Sequence, residues 1–165
     1  MRHAVLPIRI HLIPGRGAPR NTAIKALLLA LPLTLISGLA QANTSAEGRW
    51  RQIDPDTNRA KSIVEIRRTS AGALNGRIVE LINPSTANPV CDKCSDDRKG
   101  QPITGMEIIR GMRADGAGKW KGGKILKPDE GKVYNSKMAL IDGGRKLEVS
   151  GCIAFICKSQ VWERL

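Results

Sequence analysis

Four cysteines are the residues of this chain whose type and spacing could do chemistry: Cys91 and Cys94 enclose two residues, and Cys152 and Cys157 enclose four. The Cys91-Asp92-Lys93-Cys94 spacing suits a redox dithiol or half of a zinc site. A redox dithiol usually sits at a helix N-terminus, where the first thiol's pKa falls. Here Ser95-Asp96-Asp97-Arg98-Lys99-Gly100 follows, a polar run with no apolar helical face. Asp92, Asp96 and Asp97 also oppose a thiolate. Cys152 and Cys157 could complete a four-thiolate zinc cage, but in an exported chain two structural disulfides are the favoured reading. No metal or cofactor is expected, and a thiol-disulfide oxidoreductase ranks third among the functional readings. Chain entropy favours a crosswise 91–152 bridge, about 4 kcal/mol against about 2 for a local one. Local pairing is preferred nonetheless, because Ile153–Ile156 could form a hairpin end that brings Cys152 and Cys157 face to face.

Other catalytic groups are scarce. Both histidines, His3 and His11, precede residue 43, so the remainder lacks the commonest general base near neutral pH. The pairs Asp54/Asp56 and Asp129/Glu130 might suggest glycoside hydrolysis, but they flank Pro55, Pro128 and Gly131, where acids initiate turns. A binding protein rather than an enzyme is expected.

The elements that would position these residues begin after an export signal. Residues 1–25 hold five Lys/Arg and no acid; Ala26–Ile36 is uncharged and apolar; Ala40-Gln41-Ala42 has the small-x-small form of a cleavage site. A membrane anchor needs about 20 apolar residues, and Pro32 interrupts this shorter run. The expected organisation is a cleavable Sec-type signal peptide over 1–42 and one domain over 43–165. Localisation is then periplasmic or secreted. The domain keeps 22 Lys/Arg against 15 Asp/Glu, so part of the chain's formal charge of +12 belongs to the signal.

Within 43–165 no helical period persists. Short Ile-, Val- and Leu-rich runs are punctuated by Gly, Asn, Asp and Pro, which predicts strands at 49–54, 61–69, 73–82, 103–112, 119–127, 132–141, 145–152 and 158–165. Residues 83–102 form the longest irregular stretch. Eight antiparallel strands close into an all-β up-and-down barrel that removes its own edges; a β-sandwich is the runner-up. Gly76, Gly111, Gly122, Gly123 and Gly151 fall inside strands, as bulges and barrel corners require.

Gly48-Arg49-Trp50 opens the first strand and Trp162-Glu163-Arg164 closes the last. This resembles the calycin arrangement, in which an early Gly-x-Trp plugs one barrel end and a late Arg covers the indole. The run from Trp120 to Tyr134 (WKGGKILKPDEGKVY), with Leu147-Glu148-Val149-Ser150-Gly151-Cys152 and Ser159-Gln160-Val161-Trp162-Glu163-Arg164, resembles a bacterial exported family, the domain of unknown function 2147. Lys127 departs from that pattern, which has an acid there. The resemblance implies a lipocalin-like barrel, with Trp50 and Arg164 as a barrel-closing pair, and no mechanism.

Trp120, Tyr134, Met106 and Met138 are the large side chains expected to line a cavity, if they are not simply core. The leading functional expectation is non-covalent binding of a small apolar or amphipathic ligand. The competing one is a filled barrel acting as a cell-envelope interaction protein, through its basic surface or the 83–102 loop. Lys119, Lys121 and Lys124 surround Trp120, which suits weak contact with an anionic envelope surface better than nucleic acid, given three Trp, one Tyr and one Phe in all.

Overall fold

The computed structural model describes residues 44–165; the expected signal peptide lies outside them. Eight strands follow one another around a closed barrel: β1 (Gly48–Ile53), β2 (Ala60–Arg68), β3 (Leu74–Leu81), β4 (Glu107–Ala114), β5 (Lys119–Lys127), β6 (Lys132–Ile141), β7 (Lys146–Ile153) and β8 (Ile156–Arg164). Every neighbouring pair is antiparallel. Closure comes from β1 against β8, through Trp50↔Arg164, Arg51↔Glu163 and Gln52↔Trp162. That pairing leaves neither strand as a free edge, so the sandwich alternative is excluded.

Alternation puts one side chain in two inside. Trp50, Val64, Ile66, Leu74, Ile78, Ile109, Met112, Trp120, Met138, Leu147, Val149 and Trp162 are buried in one apolar cluster. The β5–β6 ladder slips between Lys121 and Gly123. Gly122 takes φ +77° there, a left-handed bulge conformation that a side chain would resist. The slip lets Trp120 and Ile125, five residues apart, both join the interior.

Two segments differ from the sequence expectation. Ile103 does not begin a strand: its N–H bonds to Pro89 O at 2.9 Å, and Val90 and Pro102 form an isolated bridge. Residues 89–103 are therefore bonded to one another, and Gly105 and Met106 pair with Ile78 of β3 before β4 begins. The last hairpin is also tighter than expected, with Ile153 opposite Ile156 and only Ala154-Phe155 between the strands. Val/Ile periodicity marks extended chain but not the residue at which pairing stops.

The two ends of the barrel are unlike. At one end Trp50 is fully buried and donates from Nε1 to Ala46 O at 2.8 Å. Arg164 lies over the indole, its guanidinium carbon 4.1 Å from the ring centroid. The same guanidinium donates to Gly144 O (2.7 Å), Glu47 O (3.1 Å) and Ser45 O (2.6 Å). One cation thus ties the N-terminal segment, the β6–β7 turn and β8 into a plug.

Candidate functional site

The opposite end carries the β1–β2, β3–β4, β5–β6 and β7–β8 connections, and a concavity of about 580 Å³ opens there. That volume is in the range of small-molecule sites. Its position follows from strand parity. Trp162 is buried in the core, so alternation puts Gln160 and Lys158, two and four residues earlier on β8, on the same face of the strand, Gln160 half-buried and Lys158 exposed at the mouth. They stand opposite Val149 and Gly151 of β7.

Ile125, Leu126, Tyr134, Ile153 and Ile156 supply the apolar lining, and Lys158, Ser159 and Gln160 supply polar groups. The rim is formed by Pro55 and Asp56 of the β1–β2 turn and by Lys127 and Glu130 at the β5–β6 turn. Gly151 brings no side chain into the concavity: a methyl group added there would first meet Tyr134 and Ile125 side-chain atoms, at 3.4–3.6 Å. The tip of the last hairpin forms the outer lip of this concavity: Ile153 and Ile156 line it while 67% exposed, and Phe155 between them is 91% exposed.

Two polar arrangements shape the site. Glu130 accepts from Lys127 Nζ at 2.6 Å and from the Tyr134 hydroxyl. Lys127 first and Tyr134 second hold the Glu130 carboxyl down to about 2. The bond to Glu130 in turn raises the Tyr134 phenol. This cluster is internally satisfied and fixes the Tyr134 ring. Below it, Ser62 Oγ meets Gln52 Oε1 at 2.6 Å, and Gln52 Nε2 meets Gln160 Oε1 at 3.2 Å.

Disulfides join Cys91 to Cys94 and Cys152 to Cys157. No cysteine among the described residues is free. Cys91 and Cys94 are buried with the core cluster rather than held in a cleft. Their loop is docked by Gly131, whose missing side chain admits the Lys93 backbone carbonyl, and by buried Arg98, paired with Asp96 and donating to Glu107 O at 3.0 Å. The β7–β8 disulfide pins two opposed residues just inside the exposed tip.

Of the side chains singled out in the sequence, Tyr134 lines the cavity. Trp120, Met106 and Met138 are buried in the core cluster and are not among the lining residues. Trp50 and Arg164 meet at the plugged end. Lys158, Gln160, Ile153, Ile156 and Gly151 were not singled out; alternation backward from Trp162 along β8 was the signal that could have found the first two. A second depression, of about 450 Å³, lies beside Arg67, Arg68 and Arg77. Its arginines are already engaged by Glu65, Glu47 and Gly105 O, so it has less to offer a ligand. No group of three or more potential metal-ligating side chains occurs among the described residues. None of their helices is long and apolar enough to cross a membrane, which says nothing about strands.

An up-and-down eight-stranded barrel, plugged by an Arg-covered Trp at one end and open at the other, defines a lipocalin-like protein. Among solved structures the fold is similar to protein HP1028 from the human pathogen Helicobacter pylori, described as belonging to the lipocalin family. The TM-score is 0.65 at 17% identity, over 74% of this chain and 84% of that one. At that identity the likeness is one of fold. The chain belongs to the family described as uncharacterized protein conserved in bacteria, the domain of unknown function 2147, matched over residues 48–164. A search of the curated proteins gives no match.

Proposed function

We propose that this protein is an exported, periplasmic or secreted, non-enzymatic barrel that binds a small amphipathic molecule non-covalently at its open end. The observation that carries the reading is the concavity of about 580 Å³, walled by Ile125, Tyr134, Ile153 and Ile156, with polar groups confined to one strand and the rim. Affinity comes from apolar burial, about 25 cal/mol per Å² removed from water, less the cost of association; the polar groups orient the ligand. Two disulfides and no free thiol suit an oxidising compartment. The test is native mass spectrometry of protein purified without refolding. A stoichiometric adduct that leaves on denaturation, and is lost in Gly151→Val, supports the reading. An adduct unaffected by Gly151→Val refutes this location.

A second reading, contact with an anionic envelope surface, is favoured by one observation. Arg113, Lys121 and Lys137 stand in register on three adjacent strands. Like charges directly opposite are destabilising, and among the described residues only Lys121 of the three has an acidic partner, Asp115 at 2.7 Å. Salt-sensitive sedimentation with anionic but not neutral vesicles, lost in Lys137→Glu, is the expected result; equal sedimentation with both vesicle types counts against it.

A further inference from the structure

We propose that the open-end cavity selects an amphiphile with an anionic headgroup, held by Lys158 and the Gln160 amide. The inference rests on reading the cavity as an amphiphile site, and it comes from the direction of one hydrogen-bond relay. Ser62 is fully buried, and Gln52 is the partner of its hydroxyl. A buried hydroxyl must place its proton, so Ser62 donates and the Gln52 oxygen accepts. Gln52 is then left with its NH₂, which donates to the Gln160 oxygen. Gln160 lines the cavity; its oxygen already accepts from Gln52, and its NH₂ is the group with no partner among the described residues, so the NH₂ is what it presents there. A serine in the barrel wall thus fixes a donor in the site.

Lys158 adds the charge. It lies on the same face of β8 as Gln160 and lines the same cavity. Among the described residues no carboxylate lies within ion-pair distance of it, whereas Lys127, the other lysine of the lining, is neutralised by Glu130. Two neighbouring donors, one cationic, call for an acceptor-only group such as a carboxylate or phosphate. The tail then lies against Ile125, Ile153 and Ile156. Asp56 on the rim is the remaining acid of the lining and opposes such a headgroup, so its removal should strengthen binding.

The test is calorimetric titration of the protein, recovered after expression of the full chain, with four twelve-carbon probes below their micellar concentrations: dodecanoate, monododecyl phosphate, dodecanol and dodecyltrimethylammonium. The expected result is that the anions bind about tenfold or more tighter than the alcohol or the cation, since a charge-assisted bond outweighs a neutral one. Whether dodecanoate or the phosphate leads identifies the headgroup. Lys158→Met should remove that preference while leaving dodecanol affinity within about twofold, Lys158→Arg should keep it, and Asp56→Asn should enlarge it. Dodecanol and the cation binding as tightly as the anions overturns the headgroup assignment but leaves the amphiphile site standing. Binding of none of the four overturns both. An anion preference that survives Lys158→Met in a folded variant also overturns the assignment.

Discussion

Replacing Arg164 tests the plugged end of the barrel. Its guanidinium makes three hydrogen bonds to backbone carbonyls and covers the Trp50 ring at 4.1 Å. Burial lowers the Arg164 pKa, but an arginine side chain remains charged in a protein. Bonds from a charged donor are worth about 1.5–3 kcal/mol each when buried, and the group keeps some solvent contact, so about 1 kcal/mol each is the appropriate figure. The cation–π contact adds about 0.5–1 kcal/mol. Arg164→Ala should therefore cost about 3.5–4 kcal/mol, a large share of a stability usually near 5–15 kcal/mol. Arg164→Lys retains the charge but cannot span three carbonyls with a planar fork, and should lose about half as much. The assay is urea unfolding at neutral pH with disulfides intact, followed by tryptophan fluorescence and checked by circular dichroism. A loss below about 1 kcal/mol for the alanine variant, or a lysine variant equal to wild type, refutes the argument that one side chain ties the three segments together.

Other outcomes follow from the same geometry. Gly131→Ala drives a methyl group into the Lys93 backbone at a residue with φ +66°; the 83–106 loop should lose hydrogen-exchange protection well before the barrel strands do. Replacing Cys152 and Cys157 together by Ser should cost about 2 kcal/mol for so short a loop, measured by denaturant unfolding, and the loss should be confined to β7 and β8 in hydrogen exchange. Stability should fall as the pH drops from about 4 towards 2. Asp96 and Glu130 have folded-state values of about 2, below their ordinary ones, through their partners Arg98 and Lys127. Their contribution is thus complete above the unfolded pKa and disappears as the carboxylates protonate. Asp96→Asn and Glu130→Gln should flatten that acid limb in thermal melts, and an unchanged limb counts against these pairs.

Much of the barrel was legible before any coordinates, because the interior repeats every second residue and the turns use Gly, Asn, Asp and Pro. Val64/Ile66 on β2 and Leu147/Val149 on β7 show the period directly. The Gly-x-Trp and Trp-x-Arg motifs were legible too, since both partners are rare and stand at the two ends of the domain. The cavity was not. Trp120, Met106 and Met138 could be read from size as lining or as core, core being favoured, because whether a large side chain packs against neighbours or faces a void depends on strands distant in sequence.

The sequence by itself determined strand number, an all-β class, a paired set of cysteines and the residues able to close one end, since each is set by local periodicity or residue type. Only the tertiary structure decided which end is open. It also decided that Gly151 lines the concavity without a side chain, that Lys158, unlike Lys127, has no ion-pair partner among the described residues, and that Ser62 reaches Gln160 through Gln52. The relay depends on the register between β1 and β2 and on closure of β1 against β8, and the places of Gly151 and Lys158 depend on the β6–β7 and β7–β8 registers. Register and closure minimise the free energy of the whole barrel, so no single strand encodes them.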